Sequence, residues 1–172
     1  TVLQRAVRDH PNDEGTAELS EAVEQLAQHL RDLEEQVTLD TVRGKEGDAA
    51  RRYFAVFDYL ITVQKEDFFF RERSRRPPLD NMNAILSFIY TLLAHDVTAA
   101  LEGVGLDPAV GYLHRDRPGR PGLALDLMEE LRPYLADRMA LSLVNLQIIK
   151  GKGFKQTESG GVEMNDETRK AV

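Results

Sequence analysis

Cysteine is absent from all 172 residues, which removes a disulfide framework, a zinc–thiolate site and thiol catalysis at once. Long hydrophobic runs are also missing: no stretch reaches the roughly eighteen uninterrupted apolar residues that mark a membrane span. The first residues, Thr1-Val-Leu-Gln-Arg5, hold neither an initiator Met nor the apolar core of a signal peptide, and read as an internal cut in a longer chain. Internal repeats, heptads and low-complexity segments are lacking too. With 42% hydrophobic and 30% charged residues, the expectation is one cytoplasmic domain with a real core, spanning 1–172, and no membrane partner.

Basic excess is lacking as well, since the net charge is −7, and this argues at first against a nucleic-acid partner. The distribution changes that reading. Residues 1–40 hold ten acids against three basic residues, whereas 41–172 hold nineteen of each. Within the neutral part, Arg71, Arg73, Arg75 and Arg76 face a single acid, Glu72, and Arg115, Arg117 and Arg120 face only Asp116. Two arginine-rich loops therefore stand as candidate phosphate contacts.

What is present is mostly helical periodicity. From Glu18 to Val37, Leu19, Ala22, Val23, Leu26, Ala27, Leu30, Leu33 and Val37 recur at three- and four-residue steps, which predicts an amphipathic helix with a solvated acidic face. Asp40 is placed to cap a second helix running to about Gln64, with Val42, Ala49, Ala50, Tyr53, Phe54, Phe57 and Leu60 inward. The segment Asp67-Phe-Phe-Phe70 and the first arginine cluster then run to Pro77-Pro78, a loop. Asp80 caps a long apolar helix through Ile85, Leu86, Ile89, Leu92, Leu93, Val97 and Leu101, stopped by Gly103 and Gly105. Helices follow near 122–132 and 134–149, broken at Pro133. Residues 153–164, centred on Gly160-Gly161, predict two short strands. The class is all-α, a helical bundle with a possible small β-hairpin near the C-terminus.

Chemistry concentrates in the seventeen residues from His114 to Glu130. Asp126, Glu129 and Glu130 lie at i, i+3 and i+4 and share a helix face, with Leu123, Leu127 and Leu131 turned away. Carboxylates so close repel unless a cation lies between them. A Pro/Gly-punctuated loop is short enough to bring His114 back over them, so a divalent metal would satisfy the group. The plainer reading is a solvated carboxylate face beside a surface histidine. Asp126 between Leu125 and Leu127, in a strongly apolar helix, favours the metal. Gly44 and Gly47 flank Glu46 within a helix, at about 1 kcal/mol each relative to alanine. They suggest close approach of another element or of a ligand, or else tight helix packing.

Three blocks in order extend this reading: Glu46-Gly-Asp-Ala-Ala-Arg-Arg-Tyr-Phe54; Arg75-Arg-Pro-Pro-Leu-Asp-Asn-Met-Asn-Ala-Ile-Leu-Ser87; and Leu106-Asp-Pro-Ala-Val-Gly-Tyr-Leu-His114, continuing through Leu123-Ala-Leu-Asp-Leu-Met-Glu-Glu-Leu-Arg-Pro133. Together they resemble the CRISPR-associated adaptation integrase family, the subunit conventionally numbered one, in wording most like the subtype I-C variant. The resemblance implies a helical catalytic domain whose N-terminal β-domain is absent from this chain. It implies Mg²⁺ or Mn²⁺ held by Glu46, His114 and Glu129, with Asp126 as an outer-shell or second ligand, and these ligands as the catalytic set. His114 acting as a general base is the alternative role. Arg73, Arg75, Arg76, Arg117, Arg120 and Arg132 are the expected contacts to double-stranded DNA, both spacer fragment and CRISPR repeat. The partners implied are a small ferredoxin-like adaptation subunit and, in the full-length protein, a second copy. The activity implied is spacer insertion by 3′-hydroxyl attack on repeat phosphodiesters. A plain metal-dependent nuclease, or a non-catalytic helical interaction domain, are the alternatives.

Overall fold

The computed structural model describes residues 2–11, 13–34, 37–115 and 117–172. In chain order it comprises α1 (Val2–Asp9), α2 (Thr16–Asp32), α3 (Leu39–Ala55), a 3-10 turn (Phe57–Leu60), α4 (Asn81–Gly103), α5 (Gly122–Leu131), a π-helical turn (Arg132–Asp137), α6 (Arg138–Asn145), a second 3-10 turn (Gly151–Gly153), β1 (Phe154–Gln156), β2 (Val162–Met164) and α7 (Asp166–Ala171). The domain is mostly helical with one two-stranded sheet, in keeping with the class read from the sequence. The strands pair antiparallel, Phe154 opposite Met164 and Gln156 opposite Val162.

The core forms around α4. Asp80 caps it as expected, its Oδ1 accepting the Asn83 N–H at 2.6 Å. Met82, Ile85, Leu86, Ile89, Leu93, Val97 and Leu101 then make one buried stripe, in a single apolar cluster with Phe57, Phe68, Met128 and Val144. Each such side chain contributes about 1.5–3 kcal/mol when fully buried. By length and composition alone α4 is apolar enough to cross a bilayer; in this fold its stripe is the centre of the core.

Several boundaries differ from the sequence expectation. Helix α2 stops at Asp32, well short of Val37, and Leu30 within it is 69% exposed, so the apolar repeat extends beyond the surface that covers it. Thr38, not Asp40, caps α3, its Oγ1 accepting the Thr41 N–H at 3.2 Å. That helix ends at Ala55 instead of near Gln64 and has no buried residue; Ala49, Ala50, Tyr53 and Phe54 line a cleft. Pro133 does not break the chain into two helices. The wider π turn accommodates a residue without an N–H, so α5 passes directly into α6. The last of these helices ends at Asn145, before the expected 149. Helices α1 and α7 were not anticipated, although Asn165 caps α7 by accepting the Thr168 N–H at 2.8 Å.

The loop before α4 is anchored by one side chain. Asn83 is fully buried. Its Nδ2 donates to the Glu72 carbonyl at 2.8 Å and to Asp80 Oδ2 at 2.7 Å. Its Oδ1 accepts from the Ser74 N–H at 3.1 Å and from Arg73 Nη1 at 2.7 Å. Arg73, an expected phosphate contact, is thereby turned inward, its guanidinium also reaching Ser87 Oγ and lying over the Tyr90 ring. Asn83→Ala leaves several of these buried groups unpaired. Urea unfolding should show a loss of about 3 kcal/mol, with Arg73→Ala smaller.

Candidate metal centre

Two glycines close the loop that carries His114. A Cβ on Gly111 would meet the Gly122 backbone at 2.9 Å, and one on Gly122 would meet Gly111 Cα at 3.0 Å. This backbone contact lays residues 111–114 on the first turn of α5, where no side chain fits between. The glycines singled out in the sequence behave differently: a Cβ on Gly44 or Gly47 meets nothing within 4 Å. Tight packing against another element therefore does not account for them.

Asp126 then grips the folded loop. Its Oδ2 accepts the N–H groups of Tyr112 at 2.6 Å and Leu113 at 3.0 Å. Its Oδ1 accepts the His114 N–H at 2.9 Å and lies 2.6 Å from His114 Nδ1. Burial pushes the Asp126 carboxyl up, but the histidine ring and three backbone donors outweigh it and hold the group below its ordinary range. A carboxylate so engaged assigns the ring proton to Nδ1 and leaves the Nε2 lone pair free, the orientation that a metal-ligating histidine requires. Nε2 faces Glu129, whose Oε1 is 3.8 Å away.

The acidic face expected on α5 is not a single cluster. Asp126 is engaged with the loop, Glu129 accepts from Arg132 Nη1 at 2.5 Å, and Glu130 is exposed. Leu127 is 45% exposed, and the fully enclosed positions are Ala124 and Met128. Glu46, on α3, lines the same cleft of about 660 Å³ as Glu129, with Tyr53, Tyr90, Arg132 and Asp137. Burial raises the Glu129 carboxyl above its ordinary value; Arg132 opposes this, and the negative charge of Glu46 adds to it. Among the described residues no three His, Asp or Glu side chains close to metal-holding distances. The donor set nonetheless fits a divalent cation: a neutral imidazole nitrogen, and two carboxylates whose mutual repulsion a cation relieves.

Behind the cleft lies a buried network that the sequence did not reveal. Tyr90 Oη donates to Asp137 Oδ1 at 2.5 Å. The Tyr53 hydroxyl approaches the same carboxylate without hydrogen-bond geometry. Asp137 is 1% exposed, and burial, against the hydroxyl and arginine contacts, carries its pKa up to about 6. Arg132 is stacked over Tyr90 at 5.3 Å from the ring centroid, so this residue, expected at a DNA phosphate, is held between Glu129 and the network. The remaining arginines face outward. Arg75 lines the main cleft and Arg76 is exposed. Arg117 and Arg120, with Arg43 and Arg115, surround a second hollow of about 360 Å³ beside His114. Asp116 falls outside the described residues. The glycine pair bracketing the His114 loop was a legible signal that sequence reading passed over; nothing in the sequence marks Asp137.

Asp126→Ala frees three N–H groups from a charged acceptor, each such bond contributing about 1.5–3 kcal/mol. Amide exchange at residues 112–114 should accelerate at least about tenfold, while exchange in α4 is unchanged. For Asp137 the sign follows from its raised pKa: between about pH 4 and 6 the folded state binds the proton that the unfolded chain releases, so stability falls as pH rises through that window. Urea titrations should show the advantage of wild type over Asp137→Asn shrinking by about 2–3 kcal/mol from pH 4 to pH 7. A constant difference would contradict the assignment.

Against known proteins, all of residues 1–172 match the family described as CRISPR associated protein Cas1. A relative from Rhodospirillum rubrum, named CRISPR-associated endonuclease Cas1 2, is 55% identical over 175 residues, covering 99% of this chain and 51% of the relative. The chain spans about half the length of this relative and of a second one, from Chlorobaculum tepidum, that is 51% identical over 171 residues. Among solved structures, a casposase bound to its integration product superposes with a TM-score of 0.79 at 25% identity, over 99% of this chain and 48% of that one. A partial Cas6-RT-Cas1–Cas2 complex gives a TM-score of 0.81 at 25% identity, over 98% and 51%. A histidine clamped by one carboxylate and turned toward another thus sits in a helical framework shared with these proteins, and with its entire length matching the family profile, the chain belongs to the CRISPR-associated Cas1 family.

Proposed function

We propose that this chain is the catalytic domain of a metal-dependent DNA integrase of CRISPR adaptation, of subtype I-C character. The observation that carries the reading is the clamped His114, its Nε2 3.8 Å from Glu129 Oε1, with Glu129 lining a cleft together with Glu46. Glu46, His114 Nε2 and Glu129 are the residues that would hold Mg²⁺ or Mn²⁺, and the nitrogen donor makes manganese at least as suitable as magnesium. Such an ion, when bound, polarises the phosphate and lowers the pKa of the attacking hydroxyl.

The protein's own groups do the rest. Asp126 keeps the imidazole in one tautomer and one orientation. Arg132 donates to the same Glu129 Oε1 that His114 Nε2 faces and holds that carboxylate in place. Arg75, Arg76, Arg117 and Arg120 are suited to hold backbone phosphates without reading bases. The 3′-oxygen of a captured fragment bonds to phosphorus as a phosphodiester of the repeat opens, one ester replacing another, and its proton passes to solvent. With water in place of that hydroxyl the same site hydrolyses DNA. The relation to a casposase solved with its integration product, and to a Cas1 in complex with Cas2, supports this reading. It also supports double-stranded DNA, a small ferredoxin-like subunit and a second copy of the chain as partners of the full-length protein.

His114→Ala and Glu46→Ala are expected to abolish divalent-dependent strand transfer into a supercoiled repeat plasmid while helical content stays at the wild-type level. Wild-type turnover in either variant overturns the assignment, and cleavage without strand transfer in the unmodified protein reduces it to a plain nuclease. Replacing Arg117 and Arg120 with Ala should flatten the dependence of log K for DNA on log salt by about 0.7–0.9 per lost contact.

A further inference from the structure

Helix α3 carries Glu46 yet sets no side chain fully in the core. Polar pairs join it to α2: Lys45 to Asp32, Arg52 Nη1 to Gln25 Oε1 at 2.5 Å, and Asp48 to His29 Nε2 at 3.1 Å. Such pairs tolerate sliding better than interlocked apolar side chains do. A metal centre does not, because its ligand distances must hold to about 0.2 Å. Core contacts of α3 come from Tyr53 and Phe54, about two turns beyond Glu46, so the spacing between its first turns and the His114 loop needs a tie of its own.

Arg43 supplies that link. It stands three residues before Glu46, on the same side of α3 and about one turn away. Its Nε donates to the Leu113 carbonyl at 2.6 Å, across 70 positions of sequence. Leu113 is thus held on both sides, its N–H by Asp126 from α5 and its carbonyl by Arg43 from α3. Asp40 completes the link. With Thr38 serving as the cap, the Asp40 carboxylate is available, and its Oδ1 accepts from Arg43 Nη1 at 2.8 Å and from Arg115 Nη2 at 3.1 Å. The residues immediately before and after His114 are both tied to the first turns of the helix that bears Glu46.

We infer that Arg43 and Asp40 are positioning residues that fix the separation of Glu46 from His114, and through it the affinity for the divalent cation. The inference rests on the metal-ligand reading above. It also divides the arginines around the hollow beside His114: Arg43 and Arg115 are matched to Asp40, whereas Arg117 and Arg120 have no acid partner among the described residues and face the hollow for an anion.

The test is Mn²⁺ binding to the intact protein, followed by calorimetry and by the electron paramagnetic resonance signal of the ion, alongside DNA binding in EDTA. Arg43→Ala and Asp40→Ala should each weaken Mn²⁺ about tenfold, the range seen when groups behind metal ligands are removed, and broaden the bound-ion spectrum. Asp40→Glu keeps the carboxylate and should restore most of the affinity, which a general loss of stability would not allow. DNA affinity in EDTA should be unchanged. Wild-type Mn²⁺ affinity in both alanine variants overturns the inference. So does an Arg43→Ala variant that keeps its Mn²⁺ affinity but loses DNA, which makes Arg43 a phosphate contact. Should Arg43→Ala fail to fold, the Asp40 pair decides alone. The metal reading itself fails separately: in that case wild type and His114→Ala bind Mn²⁺ equally poorly, and the positioning role falls with it.

Discussion

The arrangement of this domain around its cleft depends on one carboxylate. Asp126 gathers three consecutive backbone N–H groups and the ring of His114, converting a Pro- and Gly-rich loop into a fixed platform. Charged acceptors make the strongest hydrogen bonds to backbone donors, and four on one side chain leave the loop little freedom. Without that grip His114 would be a surface histidine on a mobile connection. With it, the imidazole has one orientation, one protonated nitrogen, and one carboxylate, Glu129, in front of it.

The grip is seated on a braced base. Helix α5 runs through a π turn into α6, and Asp137 at the end of that turn is pinned by Tyr90 from α4. Tyr90 also supports the guanidinium groups of Arg73 and Arg132 on its ring. A buried polar network of this kind is costly if one member is lost and rigid when all are present. It connects the apolar core beneath to the charged cleft above, so the position of Glu129 derives from packing around α4. Helix α3 meets the network and the core only near its end, through Tyr53 and Phe54, so at its start the polar ties to the loop carry the weight.

The arginines illustrate how one residue type divides its roles in a fold. Arg73 and Arg132 turn inward, Arg43 and Arg115 bind protein oxygens around the His114 loop, and Arg75, Arg76, Arg117 and Arg120 are left toward the open sides. Composition places most of them in two arginine-rich segments, yet only the last four keep their charge toward the open sides. A planar guanidinium serves equally well as a stacked interior group, a backbone staple or an anion contact, and local sequence does not distinguish these uses.

What the sequence determined by itself was whatever rests on local periodicity and backbone chemistry. The α4 stripe from Ile85 to Leu101, apart from the exposed Leu92, and its Asp80 cap, the hairpin around Gly160, and the pairing of His114 with the first carboxylate of α5 all follow from spacing within some twenty residues. The three-block resemblance likewise named the family. Tertiary structure decided the rest. It stopped α2 at Asp32 and left Leu30 exposed, carried the chain through Pro133 by widening a turn, and divided the acidic trio of α5 among a loop, an arginine and solvent. It also brought Glu46 to the cleft from 83 positions before Glu129, and Arg43 to Leu113. Contacts between residues so far apart are set by how whole helices pack, and no local pattern encodes that.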